Sequence, residues 1–163
     1  MSNRVYLLLG GNQGDVLENL SKAKKEIELY IGEIQCMSPI YKTEPWGLSA
    51  DELFFNQVIY LETSCSPQSI LVDILEIEKR LGRIRKKGKL DSRPIDIDIL
   101  FYNDIVLQTP ELTIPHPRLH LRNFTLVPLN DISPHLVHPV LQKTIQQLLK
   151  NTTDKHWVSQ VTN

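Results

Sequence analysis

Residues 93–100 read Arg-Pro-Ile-Asp-Ile-Asp-Ile-Leu, and this alternation constrains the chain more than any other stretch. A period of two fits a β-strand and no helix, because successive strand side chains leave opposite faces. Ile95, Ile97 and Ile99 then point into a core. Asp96 and Asp98 share the other face, roughly 6–7 Å apart along the strand. Two ionised carboxylates at that spacing repel each other unless a cation lies between them. The pair is either an acid-bearing strand face in solvent or the seat of a hard divalent ion such as Mg²⁺. Such an ion takes carboxylate oxygens together with substrate phosphates.

Charge distribution favours the second reading. The 163 residues carry 18 Lys+Arg against 19 Asp+Glu, a net charge of −1. Lys79 to Arg93 alone holds eight bases and one acid, +7, which leaves 10 bases and 18 acids, −8, on the rest of the chain. Near-neutrality excludes a bulk polyanion binder and a disordered acidic tail. A concentrated positive segment followed at once by two carboxylates suits a small, local polyphosphate. With Gly82, Gly88 and no apolar period, the segment reads as a mobile loop. The competing readings are a solvated face and an RNA phosphate grip, but the loop carries no aromatic residue on which a base could stack.

The length suits one domain spanning 1–163. Cys36 and Cys65 lack any CxxC or ligand spacing and are expected to be small buried hydrophobes in a reducing compartment, the cytoplasm. The apolar run Val5–Leu9 is too short for a signal peptide or a membrane span, so no membrane association is expected.

Along the chain, Val5–Leu9 reads as a buried strand and Gly10–Asp15 as a turn, Asp15 capping a helix. Val16, Leu20, Ala23, Ile27 and Ile31 recur at helical spacing. Ile34–Lys42 and Phe54–Thr63 are strands. Ser66-Pro67 opens a second helix, Gly82 closes it, and Pro94–Tyr102 is the strand already described, with Ile105–Leu107 expected as its hairpin partner. Pro-rich connections follow, then a helix near Leu141–Lys150. The order β-α-β-β-α-β predicts a ferredoxin-like α+β sandwich with a mostly antiparallel sheet and helices on one face. A C-terminal hairpin and helical extension complete it.

Further candidates sit around this frame. Glu78 lies inside the apolar arc of the second helix, where a carboxylate needs a partner; Arg85 is one candidate, and snorkelling at the edge of the arc is the alternative. The Gly10–Gly14 turn matches no nucleotide fingerprint and offers at most a backbone role at a ligand. Phe54 and Phe124, beside Asn56 and Arg122, are core aromatics or the two faces of a grip on a flat heterocycle. His116 stands in Leu112-Thr113-Ile114-Pro115-His116.

Taken together, Arg93-x-x-Asp96-x-Asp98-Ile99-Leu100, Gly82-Arg83-x-Arg85, Leu112–His116 and Arg122-x-Phe124 resemble the 6-hydroxymethyl-7,8-dihydropterin pyrophosphokinases of folate biosynthesis. The resemblance runs from the glycine turn to the C-terminal helix. It implies transfer of pyrophosphate from ATP to the pterin hydroxymethyl oxygen, with release of AMP. It further implies two Mg²⁺ ions on Asp96 and Asp98, and Arg83 and Arg93 as catalytic groups near the β-phosphate. Glu78, Arg85, Ile99, Leu112, Thr113, His116 and Arg122 are implied at the ATP. Thr43, Pro45, Trp46, Gly47, Asn56, Phe54 and Phe124 are implied at the pterin. The partners are then ATP and a hydroxymethyl dihydropterin, without nucleic acid or membrane, in a monomer. Two departures stand out. Many members carry an aromatic run before the metal strand where this chain has Leu90-Asp91-Ser92, and Phe54 stands where some members carry Tyr.

Overall fold

The computed structural model describes residues 2–44, 53–84 and 93–162. Its elements are β1 (Asn3–Gly11), α1 (Val16–Tyr30), β2 (Glu33–Met37), β3 (Tyr41–Thr43), β4 (Phe54–Thr63), α2 (Pro67–Arg80) and β5 (Asp96–Tyr102). There follow β6 (Leu107–Gln108), β7 (Thr113–Ile114), a 3₁₀ turn (Leu119–Leu121), α3 (Asn123–Ile132), α4 (Ile145–Asn151) and β8 (Val158–Gln160).

Local signals act as the residue types require. The Asp15 carboxylate accepts from the Glu18 N–H at 3.1 Å, and the Ser66 hydroxyl accepts from the Ser69 N–H at 3.1 Å. Each cap satisfies one orphan donor, worth about 1 kcal/mol. The second strand is broken into β2 and β3 by Ser38-Pro39-Ile40. Across the break the Ser38 N–H donates to Val58 O, and the Ser38 hydroxyl accepts from the Val58 N–H. Both β2 and β3 therefore pair with β4, and the sheet order is β5-β1-β4-β3-β8, antiparallel throughout. This is the ferredoxin-like arrangement.

Each strand face has its own core. Leu7 and Leu9 of β1 and Ile97 and Ile99 of β5 pack with Leu20, Ala23 and Ile27 of α1 and Ile70, Ile74 and Ile77 of α2. The opposite face carries Leu8, Val58, Leu100 and Phe101, covered by Leu126 and Leu129 of α3 and Ile145 and Leu148 of α4. Helices thus lie on both faces, not on one as expected. The unexpected helix is α3, which the sequence presents as a proline-rich connection. Pro128 sits inside it and is itself buried, a site where tertiary packing outweighs the missing N–H. The expected partner of β5 is also replaced: β6 pairs with β7, and no described strand pairs with the outer edge of β5, which is met instead by Glu78 at the Ile97 N–H and by the His116 N–H at Leu100 O. Cys36 is exposed on the edge strand β2, contrary to the buried hydrophobe expected there, while Cys65 is half-buried.

Candidate functional site

The site lies on the sheet face covered by α3. Because Ile95, Ile97 and Ile99 are committed to the α1–α2 core, Asp96 and Asp98 leave β5 on the other side. The register places Asp98 beside Leu8, and Leu8 beside Val58. One rung along, Asp96, Gly10, Asn56 and Tyr41 run across four strands. Glycine at position 10 is required by that rung: a Cβ there would stand 2.5 Å from Asn56 Oδ1. Asn56 is buried, and at the end of β3 so is Thr43, whose hydroxyl has no hydrogen-bond partner among the described residues. Phe54 sits opposite Thr43.

Two arginines converge on Asp96. Arg83 Nη1 lies 2.7 Å from Oδ1, and Arg93 Nη1 lies 2.8 Å from Oδ2. The same Arg83 nitrogen reaches Glu78 Oε2 at 2.8 Å. That oxygen also accepts the Ile97 N–H at 2.8 Å. Glu78 is thus buried and paired, tying α2 to the outer edge of β5. Arg83 is one partner of Glu78; Arg85, the candidate considered from the sequence, lies outside the described residues. Arg83 is brought there by the end of α2: Gly82 takes a φ of +97°, and the Arg83 N–H returns to Glu78 O at 3.0 Å. This is a Schellman closure that glycine favours.

Arg93 is fixed at its backbone as well. Its carbonyl accepts from the N–H groups of Asn12 and Gln13 at 2.8 and 3.1 Å, and its own N–H donates to Asn12 Oδ1 at 2.6 Å. The glycine turn therefore spends two of its amides on the chain itself, holding the entry to β5. Asn12 is a residue the sequence reading passes over; only its place in a turn hints at it.

Asp98 differs sharply from Asp96. It accepts no hydrogen bond and forms no ion pair among the described residues. Burial, then the charges of Asp96 and Glu78, push its carboxyl up to about 7, against the pull of Arg122 and Arg93. A carboxylate in that setting favours a bound cation. Among the described residues no three or more His, Cys, Asp or Glu side chains form a metal cage. Two carboxylates are hard oxygen donors of the kind a divalent ion such as Mg²⁺ takes together with phosphates and water. The donor set therefore fits Mg²⁺.

Asp98 also borders a cavity of about 260 Å³ at the β5 edge, with Ile99, Leu112, Thr113 and His116 on its wall. Leu71 and Ile74 of α2 line it too; in sequence they are indistinguishable from core positions. His116 Nδ1 accepts from the Arg118 N–H at 3.1 Å, which leaves the proton of the neutral ring on Nε2. Burial, then the Arg122 charge, hold the ring down at about 4, so it is neutral at physiological pH. At the start of α3, the Arg122 guanidinium lies 5.2 Å from the Phe124 ring centroid, a cation–π contact. Burial lowers the Arg122 pKa, which marks a partly desolvated cation. Of the expected site residues, Pro45, Trp46, Gly47 and Arg85 lie outside the described residues, as does the segment containing Leu90.

Comparison with known proteins gives the family. A family model described as 7,8-dihydro-6-hydroxymethylpterin-pyrophosphokinase (HPPK) matches residues 6–134. The chain belongs to this family. An HPPK relative from Aquifex aeolicus, 2-amino-4-hydroxy-6-hydroxymethyldihydropteridine pyrophosphokinase, is 38% identical over 151 residues, covering 93% of each chain. The folic acid synthesis protein FOL1 of Dictyostelium discoideum is 35% identical over 150 residues, 92% of this chain and 22% of that protein. Among solved structures, an HPPK-DHPS of Plasmodium falciparum with pteroate aligns at a TM-score of 0.77 and 20% identity. It covers 92% of this chain, which spans 44% of the solved one. At that identity the likeness establishes the HPPK fold.

Proposed function

We propose that the chain transfers pyrophosphate from ATP to the hydroxymethyl oxygen of 6-hydroxymethyl-7,8-dihydropterin, releasing AMP, as a single pyrophosphokinase domain in folate biosynthesis. One observation carries the reading: the acidic pair, two converging arginines, the buried amide of Asn56 and the start of α3 share one sheet face. A cavity with both apolar and polar walls adjoins Asp98. The family membership supports the same chemistry.

In this reading Asp96 and Asp98 hold two Mg²⁺ ions, which would neutralise phosphate charge. The chain's own residues do the rest. The cavity beside Asp98 takes the nucleotide, with Ile99 and Leu112 giving apolar contact and Thr113 a polar one. His116 offers a neutral Nε2–H to a phosphate oxygen, and Arg122 and Arg85 offer charge. Arg83 and Arg93, paired with Asp96, turn to the transferred group when phosphate competes for them. Their charge acts where it develops, in the transition state. Glu78 acts from behind by holding Arg83 and β5. At the far end Asn56 and Thr43 read the pterin edge, and Phe54 and Phe124 take its flat faces. Pro45, Trp46 and Gly47 are assigned to the pterin by the family resemblance alone. No dedicated base is required where positioning and charge neutralisation carry phosphoryl-type transfer.

Stacking of RNA bases needs an open sheet face. Here α1 and α2 cover one face and α3 and α4 much of the other, which supports a small flat ligand over the competing RNA reading. No helix among them is long and apolar enough to cross a membrane, and the proposed setting is the cytoplasm, with a monomer as the working unit. The test is AMP release with Mg²⁺, ATP and the hydroxymethyl pterin, omitting each in turn. AMP formed at the same rate without the pterin would overturn the assignment.

A further inference from the structure

Helix α3 carries Arg122 and Phe124 at its very start, yet its N-terminus has no local cap. Arg122 occupies the capping position and makes no capping hydrogen bond with its side chain. The first helical N–H, that of Asn123, is satisfied from 31 residues away. Asp154 Oδ2 accepts it at 2.7 Å. The Asp154 side chain is 1% exposed, and its other oxygen accepts the His156 N–H at 3.0 Å and meets the His156 ring Nδ1 at 2.6 Å. The Asn123 side-chain amide returns the link, donating to Asp154 O at 3.0 Å. A carboxylate at a helix N-terminus is favoured by the helix dipole as well as by the hydrogen bond.

The same segment fastens the opposite wall. The Trp157 N–H donates to Glu44 Oε1 at 3.0 Å, and β8 pairs with β3 so that Val158 faces Thr43. Five residues of chain, 154–158, thus tie the first turn of α3 to the end of β3. Those are the two places from which Arg122 and Phe124, and Thr43, reach the site.

We propose that Asp154 is a positioning residue of the pterin pocket, acting as a remote N-cap that holds the first turn of α3 and with it Arg122 and Phe124. This rests on the functional reading above. Loss of the cap frees one turn of helix. It leaves Asp96, Asp98 and Arg83, which belong to β5 and the end of α2, where they are. The effect should therefore fall chiefly on pterin binding, through Phe124, with a smaller change at ATP through Arg122 and a modest loss of stability, and not on the metal-binding carboxylates.

The test compares Asp154→Ala and Asp154→Asn with the wild-type chain. Pterin affinity is read by fluorescence titration in the presence of Mg²⁺ and a non-hydrolysable ATP analogue, beside steady-state KM and kcat and a thermal melt. Asp154→Ala is expected to weaken pterin binding about tenfold, the scale of a lost cap, with a smaller change in kcat. Asp154→Asn keeps one acceptor oxygen for two donors, so about a threefold loss is expected. A folded Ala variant with unchanged pterin affinity overturns the proposal, as does a lowered Tm with an unchanged pterin KM. Where the Ala variant fails to fold, the Asn variant decides, and wild-type affinity in it overturns the proposal. If the wild-type chain itself neither binds the pterin nor releases AMP, the functional reading has failed instead.

Discussion

The two halves of the site are built on opposite principles. At the β5 end charge is concentrated: Glu78, Arg83, Asp96 and Arg93 form a continuous chain of ion pairs at 2.7–2.8 Å, with Asp98 beside it unpaired among the described residues. At the β3–α3 end the charged groups include Arg122, Glu44 and Asp154, and the two carboxylates accept from backbone N–H groups. Order comes from hydrogen bonds to Asn123, Glu44 and β3, and from aromatic surface. A polyphosphate requires many charges whose partners can be exchanged for the ligand. A flat heterocycle requires a slot of fixed width and a few donors and acceptors that do not move. The first half can tolerate rearrangement, and the second cannot.

Substitutions should separate the halves. The largest effect is expected from Asp98→Asn, which should lower turnover by about a thousandfold or more with little change in pterin affinity. The same change should stabilise the metal-free protein. The fold opposes ionisation of Asp98, whose carboxyl is raised to about 7. Wild-type stability should therefore fall as pH rises from about 4 through 7, and the Asn variant should escape that loss. Melts in chelator at pH 5 and pH 8 check the sign; equal curves for both proteins at pH 8 would contradict it.

Arg83→Ala comes next. It should reduce kcat roughly a hundredfold while leaving pterin affinity nearly intact. It also removes the ion pair between Arg83 and the buried Glu78, at a cost of about 1–3 kcal/mol in a urea titration. A variant that lost only pterin affinity would blur the division between the halves.

Gly10→Ala addresses the boundary between them. The new methyl would displace the Asn56 side chain, and pterin KM should rise about tenfold with ATP KM unchanged. An ATP effect instead would place Asn56 in the wrong half.

The smallest effect concerns His116. Its ring is held at about 4, by burial first and then by Arg122. Its folded pKa is depressed, so its share of stability is present above the unfolded value near 6.5 and is lost as pH falls toward 4. His116→Asn should flatten that part of the pH–stability profile by about 1 kcal/mol, measured by urea melts at pH 7 and pH 4.5.

Legibility in the sequence follows the range of the interactions. Helix α1 is readable because Val16, Leu20, Ala23 and Ile27 repeat locally and Asp15 caps three residues ahead. The β5 face is readable because alternation is a property of adjacent residues. Helix α3 is hidden because its cap, Asp154, lies far along the chain and Pro128 masks its pattern. The split of β2 from β3 depends on Ser38 meeting Val58 across the sheet.

What the sequence by itself determined, then, is the inventory and the sides: isoleucines inward, Asp96 and Asp98 outward, a basic segment just before them, and the family to which those motifs belong. Tertiary structure alone decided the pairings. Arg83 bridges Glu78 and Asp96, the glycine turn grips the backbone of Arg93, α3 and α4 close the second face, and Asp154 caps a helix whose own residues cannot. Periodicity is written into neighbouring residues. Which distant donor meets which acceptor is settled only when burial makes an unpaired polar group too costly to leave.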